Sequence, residues 1–164
     1  MQKIKLISSN KDRAILLTLI VVLFAFLTII IPFVFVQYIP QSLIGNYVRI
    51  NANFIFISIP ILCYFLYTGV FIHKIKLDPY IISISSYRSL TSILIKKDYI
   101  DISHLMLKEY AFFNRPFSIN RTLMIKIESD SKKIIAKRFT LSLLGNKEEK
   151  RISRVLDQIL SNNN

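Results

Sequence analysis

Tryptophan is absent from this 164-residue chain, cysteine occurs once and glycine three times. A single cysteine, Cys63, cannot close an internal disulfide, and no Cys/His set stands at zinc-ligand spacing. Cys63 falls within an apolar run, where it reads as a small apolar filler. Three well-separated glycines exclude a phosphate-cradling glycine loop. His73 and His104 are the only histidines, and neither has an acid or cysteine neighbour at ligand spacing. The paired nucleophile and base that covalent catalysis needs are also lacking, so the expectation is a non-enzyme without metal or cofactor. Asp98 and Asp101 come nearest to a carboxylate pair and read as capping or solvating residues of a turn. Acids are scarce altogether: 10 against 22 Lys and Arg, a formal net charge of +12. The lack of tryptophan, with heavy use of Ile, Lys and Asn, fits an AT-rich bacterial genome.

What the chain has in excess is apolar length. Hydrophobic residues make up 52% of it, and the mean hydropathy is +0.45, too apolar for an ordinary soluble domain. The excess sits in the first 72 residues. Residues 14–36, AILLTLIVVLFAFLTIIIPFVFV, carry no charge, and a bilayer core of roughly 30 Å takes about 20 helical residues to cross. Residues 52–72, ANFIFISIPILCYFLYTGVFI, are also uncharged, with Pro60 in their middle. Between them lies a connector with one charge, Arg49. The basic head, Lys3, Lys5, Lys11 and Arg13, resembles that of a signal peptide, but the run behind it is too long and no small-x-small site follows, so a signal anchor fits better. Positive flanks place both termini in the cytoplasm. The expectation is a two-helix transmembrane hairpin over residues 1–73 in a bacterial inner membrane. Neither run holds an ionisable group, which counts against a pump or transporter.

After residue 73 the pattern alternates. YIISIS at 80–85 puts Tyr80, Ile82 and Ile84 on one face, and LTSILIK at 90–96 reads as a second strand. Residues 100–113 read as one long strand with Leu105, Leu107, Ala111 and Phe113 on the side of Glu109. TLMIKIES at 122–129 turns inward with Leu123, Ile125 and Ile127, and pairs through an SDSK turn with KIIAKRF at 133–139. A terminal helix follows. Asn146 and Glu149 have capping-box spacing, and Ile152, Val155, Leu156 and Ile159 make an apolar stripe. The result is a cytoplasmic domain over 74–164, a small β-sandwich or barrel closed by a C-terminal helix.

This order of elements resembles a bacterial pleckstrin-homology-like domain behind a membrane hairpin, as in the YcxB-like membrane proteins. KIKLDPYIISIS is similar to the opening strands, IKKDYIDISHLML to the segment after them, LMIKIESDSKKIIAKRF to the late hairpin and KRISRVLDQILSN to the closing helix. The resemblance implies a seven-stranded bent sandwich and a non-enzymatic role in binding or assembly at the membrane. Some proteins with similar domains are associated with bacteriocin resistance. Fold alone assigns no function.

The basic residues offer the only candidate contacts. Lys3, Lys5, Lys11, Arg13, Lys74 and Lys76 stand beside the apolar runs, where each gains about 1 kcal/mol from anionic lipid. Lys132, Lys133, Lys137 and Arg138 crowd the late hairpin. Strand alternation puts Lys133 and Lys137 on one face and Lys132 and Arg138 on the other, so the plainer reading is an edge strand guarded by lysine. Aromatics do not interleave with these charges, which argues against nucleic acid. The reading that follows is a membrane-anchored adaptor that binds a protein partner, a second copy or anionic lipid. The alternatives are self-immunity against a membrane-active peptide and an accessory subunit of a membrane enzyme or transporter.

Overall fold

The computed structural model describes residues 5–50, 53–90, 97–129 and 132–163. Contacts divide the chain into two compact units. One comprises Met1–Ile15 and Val70–Asn164, the other Leu16–Gly69. An apolar segment is thus inserted into a domain that begins before it and ends after it.

Two antiparallel sheets build the first unit. Strands β1 (Leu6–Ser9), β2 (Phe71–Leu77), β3 (Ile81–Arg88) and β4 (Asp98–Ser103) form one, in that order. Strands β5 (Leu107–Asn114), β6 (Asn120–Glu128) and β7 (Ile134–Ser142) form the other. Alternation explains the inner faces. Ile75 and Leu77 on β2, Ile82 and Ile84 on β3, Leu123 and Ile125 on β6, and Phe139 and Leu141 on β7 are all buried, while the residues between them face outward. The hairpin of β6 and β7 pairs Ile125 with Lys137 and Leu123 with Phe139, the register that the alternation requires. Helix α5 (Asn146–Asn163) buries Ile152, Leu156 and Ile159 against β1, β5 and the turn before β5.

Three sequence expectations are corrected in this unit. A boundary after residue 73 would cut through β2, and the basic head does more than flank a membrane. Its residues 6–9 pair with β2, Leu6 opposite Leu77 and Ser9 opposite Lys74. The long strand over 100–113 is instead two strands in two sheets. A 3-10 turn at His104–Met106 interrupts it, and the register shifts between Leu107 and Glu109. Tyr110 and Phe112 therefore pack on the core, while Phe113 and Leu105 are exposed. Asn146 does not cap α5, because the Glu149 N–H bonds to the Gly145 carbonyl at 2.9 Å and the Asn146 side chain accepts a bond from Arg121. The strand expected at 90–96 falls on residues 91–96, outside the described residues.

Among the described residues, one helix is long and apolar enough to cross a membrane, and most of it lies in the second unit. It runs Lys11–Tyr38, 28 residues at a mean hydropathy of 3.2, with 11% of its most apolar window buried. It consists of α1 (Lys11–Ala25), a π-helical turn (Phe26–Ile30) and α2 (Ile31–Tyr38). The π turn lies just before Pro32, where a widened turn relieves the missing N–H and the ring clash.

The second expected span, 52–72, is overturned. Helix α4 covers Asn53–Thr68, 16 residues, or about 24 Å of helix against a bilayer core of roughly 30 Å. Gly69, at φ 67°, ends it in the left-handed conformation that favours glycine, and Phe71 and Ile72 belong to β2. Before it comes α3 (Leu43–Ile50). A bend of 80° separates α3 from Ile55–Thr68, as in a broken span or a re-entrant loop. Gly45 in α3 has no room for a side chain, since a Cβ would lie 2.6 Å from the Ile39 carbonyl oxygen. The architecture is one membrane-length helix, a bent helix pair, two antiparallel sheets and a C-terminal helix, not a two-span hairpin followed by a barrel.

Candidate functional site

The chain leaves the first unit through Asn10 and comes back through Phe71, and a buried polar cluster ties those two points together. The Asn10 Nδ2 donates to the carbonyls of Phe71 and Ser142, both at 2.8 Å. Its Oδ1 accepts the His73 N–H at 2.8 Å. The Ser142 hydroxyl accepts the Phe71 N–H at 2.7 Å and donates to Asn120 Oδ1. One amide thereby satisfies a β2 donor, a β2 acceptor and a β7 acceptor. Asn is suited to this because its side chain carries two donor hydrogens and an acceptor oxygen.

His73 sits beside the cluster and is fully buried, and neither ring nitrogen has a hydrogen-bond partner. Burial pushes its pKa from 6.5 down to about 4, and the Glu148 carboxylate opposes this in part. In register it faces Ser86, which faces Asp98. This Ser, His, Asp row is not wired as a nucleophile and base, for the Ser86 hydroxyl donates to the Thr140 carbonyl. Asp98 and Asp101 lie on β4, three residues apart and so on opposite faces, with Asp101 bonded to Ser83 at 2.8 Å.

The same end of the unit carries ion pairs that fix the start of α5. Arg13 lies 3.5 Å from Glu148, and Arg121 bonds to Glu149 and Asn146. These pairs leave Lys11 and Lys147 exposed nearby in sequence, with Lys150, Arg151 and Arg154 continuing an exposed basic stripe along α5. Positions 147, 150, 151 and 154 stand at i, i+3, i+4 and i+7, a spacing that was readable from the sequence as a charged face.

The basic residues singled out from the sequence are dispersed. Lys3 lies outside the described residues. Lys5 is exposed just ahead of β1, and Lys11 and Arg13 stand in the first turn of α1. Lys74 and Lys76 project from the outer face of β2, in register with Ser85 and Ser83. Lys132, at φ 59°, belongs to the turn before β7, and Lys133 is exposed beside it. Lys137 is half-buried, donating to the Tyr99 carbonyl with its ammonium 5.8 Å from the Phe139 ring centre. Arg138 is exposed on the opposite face. Among the described residues of this set, Lys74 and Lys76 share a strand face, Lys11 and Arg13 share the first turn of α1, and Lys132 and Lys133 adjoin before β7.

Within the second unit, an apolar cavity of about 340 Å3 is lined by Ile29, Pro32, Phe33, Val36, Val48, Ile55 and one charged residue, Arg49. Among the described residues, no three His, Cys, Asp or Glu side chains gather as a metal site. No family model matches the chain, and searches of curated proteins and of solved structures give no match either.

Proposed function

We propose that this chain is a non-catalytic, membrane-anchored adaptor or assembly protein. Residues 16–69 embed in the bilayer, and the two-sheet unit is held at the cytoplasmic face to bind a protein partner or a second copy. The observation that carries the reading is the pairing of β1 with β2. It joins in one sheet the two ends of an insertion whose only Lys, Arg, Asp or Glu is Arg49, which supports a reading with both ends on the same side of the membrane. The helix Lys11–Tyr38 supplies the apolar length. Lys11 and Arg13 at its start suit a cytoplasmic flank, since Lys and Arg accumulate on that side. A role in binding is supported by exposed apolar residues on the second sheet, Ile134 and Ile135 on β7 and Phe113 on β5, the two outer strands of that sheet. The resemblance to YcxB-like membrane proteins belongs to the same proposal, because it implies the same class of role.

The test is crosslinking in cells from a photoreactive residue at Ile134, followed by purification of the full chain in mild detergent. A discrete adduct with one protein or with a second copy is expected. Recovery of the uncrosslinked chain alone, in repeated preparations, contradicts the adaptor reading.

A further inference from the structure

The turn between β5 and β6 is built against the preferences of its own residues. The Ser118 N–H bonds to the Arg115 carbonyl at 3.3 Å, with Pro116 between them and Phe117 at φ 59°. Pro in the second position and positive φ in the third describe a type II turn, whose third position ordinarily takes glycine. Here that position holds a phenylalanine, 98% exposed. A large apolar side chain held in a strained backbone and presented to the outside is an outlier of the kind that marks function.

Its place in the fold says what it meets. Two residues beyond Phe117, the Ile119 carbonyl accepts the Leu143 N–H at 3.0 Å, and Asn120 is bonded to Ser142. Ser142 in turn holds Phe71 and Asn10. The turn is therefore at the end of the unit where the chain departs for residues 16–69 and returns from them. The β3 end reaches the same point, with the Ser89 N–H on the Val70 carbonyl at 2.7 Å. Arg115, Lys11 and Lys147 at this end are exposed. Asp12 is exposed there too, while Glu148 and Glu149 are engaged by Arg13 and Arg121.

We infer that the Arg115, Pro116, Phe117 turn is a leaflet-docking element: Phe117 enters the anionic cytoplasmic leaflet at the headgroup boundary while Arg115, Lys11 and Lys147 meet its lipid phosphates. The inference rests on the membrane reading above. The apolar segment leaves the unit directly after Asn10 and rejoins it directly before Phe71, so on the membrane reading this end is the one the chain connects to the bilayer. An apolar tip with exposed cations at the same end of the unit matches an anionic interface in both of its components. The opposite end carries its own exposed apolar residue, Leu105, in the turn between β4 and β5. The six intervals of β2 separate the two ends by about 20 Å.

The chain lacks tryptophan, so single-tryptophan variants report without interference. Full-length Phe26→Trp, Phe117→Trp and Leu105→Trp proteins are placed in nanodiscs of phosphatidylglycerol and phosphatidylcholine, one set brominated near the methyl end of the acyl chains, which reads Phe26→Trp at mid-helix, and one set brominated near the carbonyl end, which reads the other two. Phe26→Trp reports the membrane segment, Phe117→Trp the turn and Leu105→Trp the distal end. An interfacial side chain lies about 5–10 Å into the headgroup and acyl boundary, within reach of the carbonyl-end bromines. Quenching is expected for Phe26→Trp and Phe117→Trp but not for Leu105→Trp. Quenching at 117 should weaken in pure phosphatidylcholine. If Phe26→Trp is quenched while Phe117→Trp matches Leu105→Trp, the docking inference fails and the anchor stands. If Phe26→Trp escapes quenching, the membrane reading fails and the inference with it. Equal quenching at 117 in neutral lipid overturns the preference for an anionic leaflet.

Discussion

Replacing Asn10 by alanine is expected to destabilise the protein by about 4 kcal/mol. The side chain occupies three partners at once, the carbonyls of Phe71 and Ser142 and the N–H of His73. Asn10 itself is 3% exposed, so water cannot replace what alanine removes. Each buried backbone group left unpaired costs on the order of 1–3 kcal/mol, and the three sum to the figure above after allowance for relaxation. Asn10→Asp should do no better, because it sets a carboxylate oxygen against two carbonyl oxygens at the positions where Nδ2 now donates. The measurement is thermal unfolding of the detergent-solubilised full chain, with a Tm lowered by roughly 10 °C at about 2–4 °C per kcal/mol for this size. Limited proteolysis should cut the variant first near β1, whose only strand partner among the described residues is β2. A loss under about 1 kcal/mol would mean that the clamp does not hold the ends of the insertion together.

Acid should act on the same end of the fold through His73. Its folded pKa is depressed from 6.5 to about 4 by burial, so the folded protein favours the neutral ring. As pH falls, the unfolded chain takes up the proton first. The stability contributed by neutral His73 is complete above about 6.5 and is lost progressively towards 4. The full linkage is about 3 kcal/mol, of which about 2 is gone by pH 5. His73→Leu removes the titration while filling similar space. Because neither ring nitrogen has a partner, the variant should match the parent at neutral pH and exceed its stability near pH 5. Denaturant midpoints at the two pH values check this. A variant that loses stability at neutral pH and keeps the parent's acid response would locate the acid sensitivity elsewhere.

The two effects share a cause that the sequence does not display. Asn10 is 61 residues from Phe71 and 132 from Ser142 in the chain, and no periodicity links them. What was legible is what short-range patterns control. The alternation of Leu123, Ile125 and Ile127 against the 133–139 segment located the β6 and β7 hairpin, and the stripe of Ile152, Leu156 and Ile159 located α5. Run length and lack of charge located the helix Lys11–Tyr38.

The misses have physical reasons. β1 has four residues and hides in a basic head whose charges also fit a membrane flank. The signal available was the tetrapeptide KIKL, which occurs at residues 3–6 and again at 74–77 in β2. Hydropathy carries the second apolar run through to residue 72 because it does not register a chain leaving a helix for a strand. Gly69, whose positive φ ends the helix, was the local mark of that change. The strand over 100–113 looked continuous because alternation is blind to a three-residue turn that carries the chain from one sheet to the other. Of the candidate contacts, Lys137 is masked by composition, because its ammonium is committed to the Tyr99 carbonyl across the two sheets, whereas Phe117 stands out only through its backbone angle and exposure.

The central claim is that β1 and the C-terminal region share one face of a membrane that residues 16–69 enter. Single cysteines test it in a Cys63→Ala background, one at Ile7→Cys on the exposed side of β1 and one at Ser161→Cys near the end of α5. A membrane-impermeant maleimide is applied to intact cells and to inverted membrane vesicles. The account predicts that both sites label in inverted vesicles and neither in intact cells. Labelling of either site in intact cells, or recovery of the protein in the soluble fraction, would contradict it.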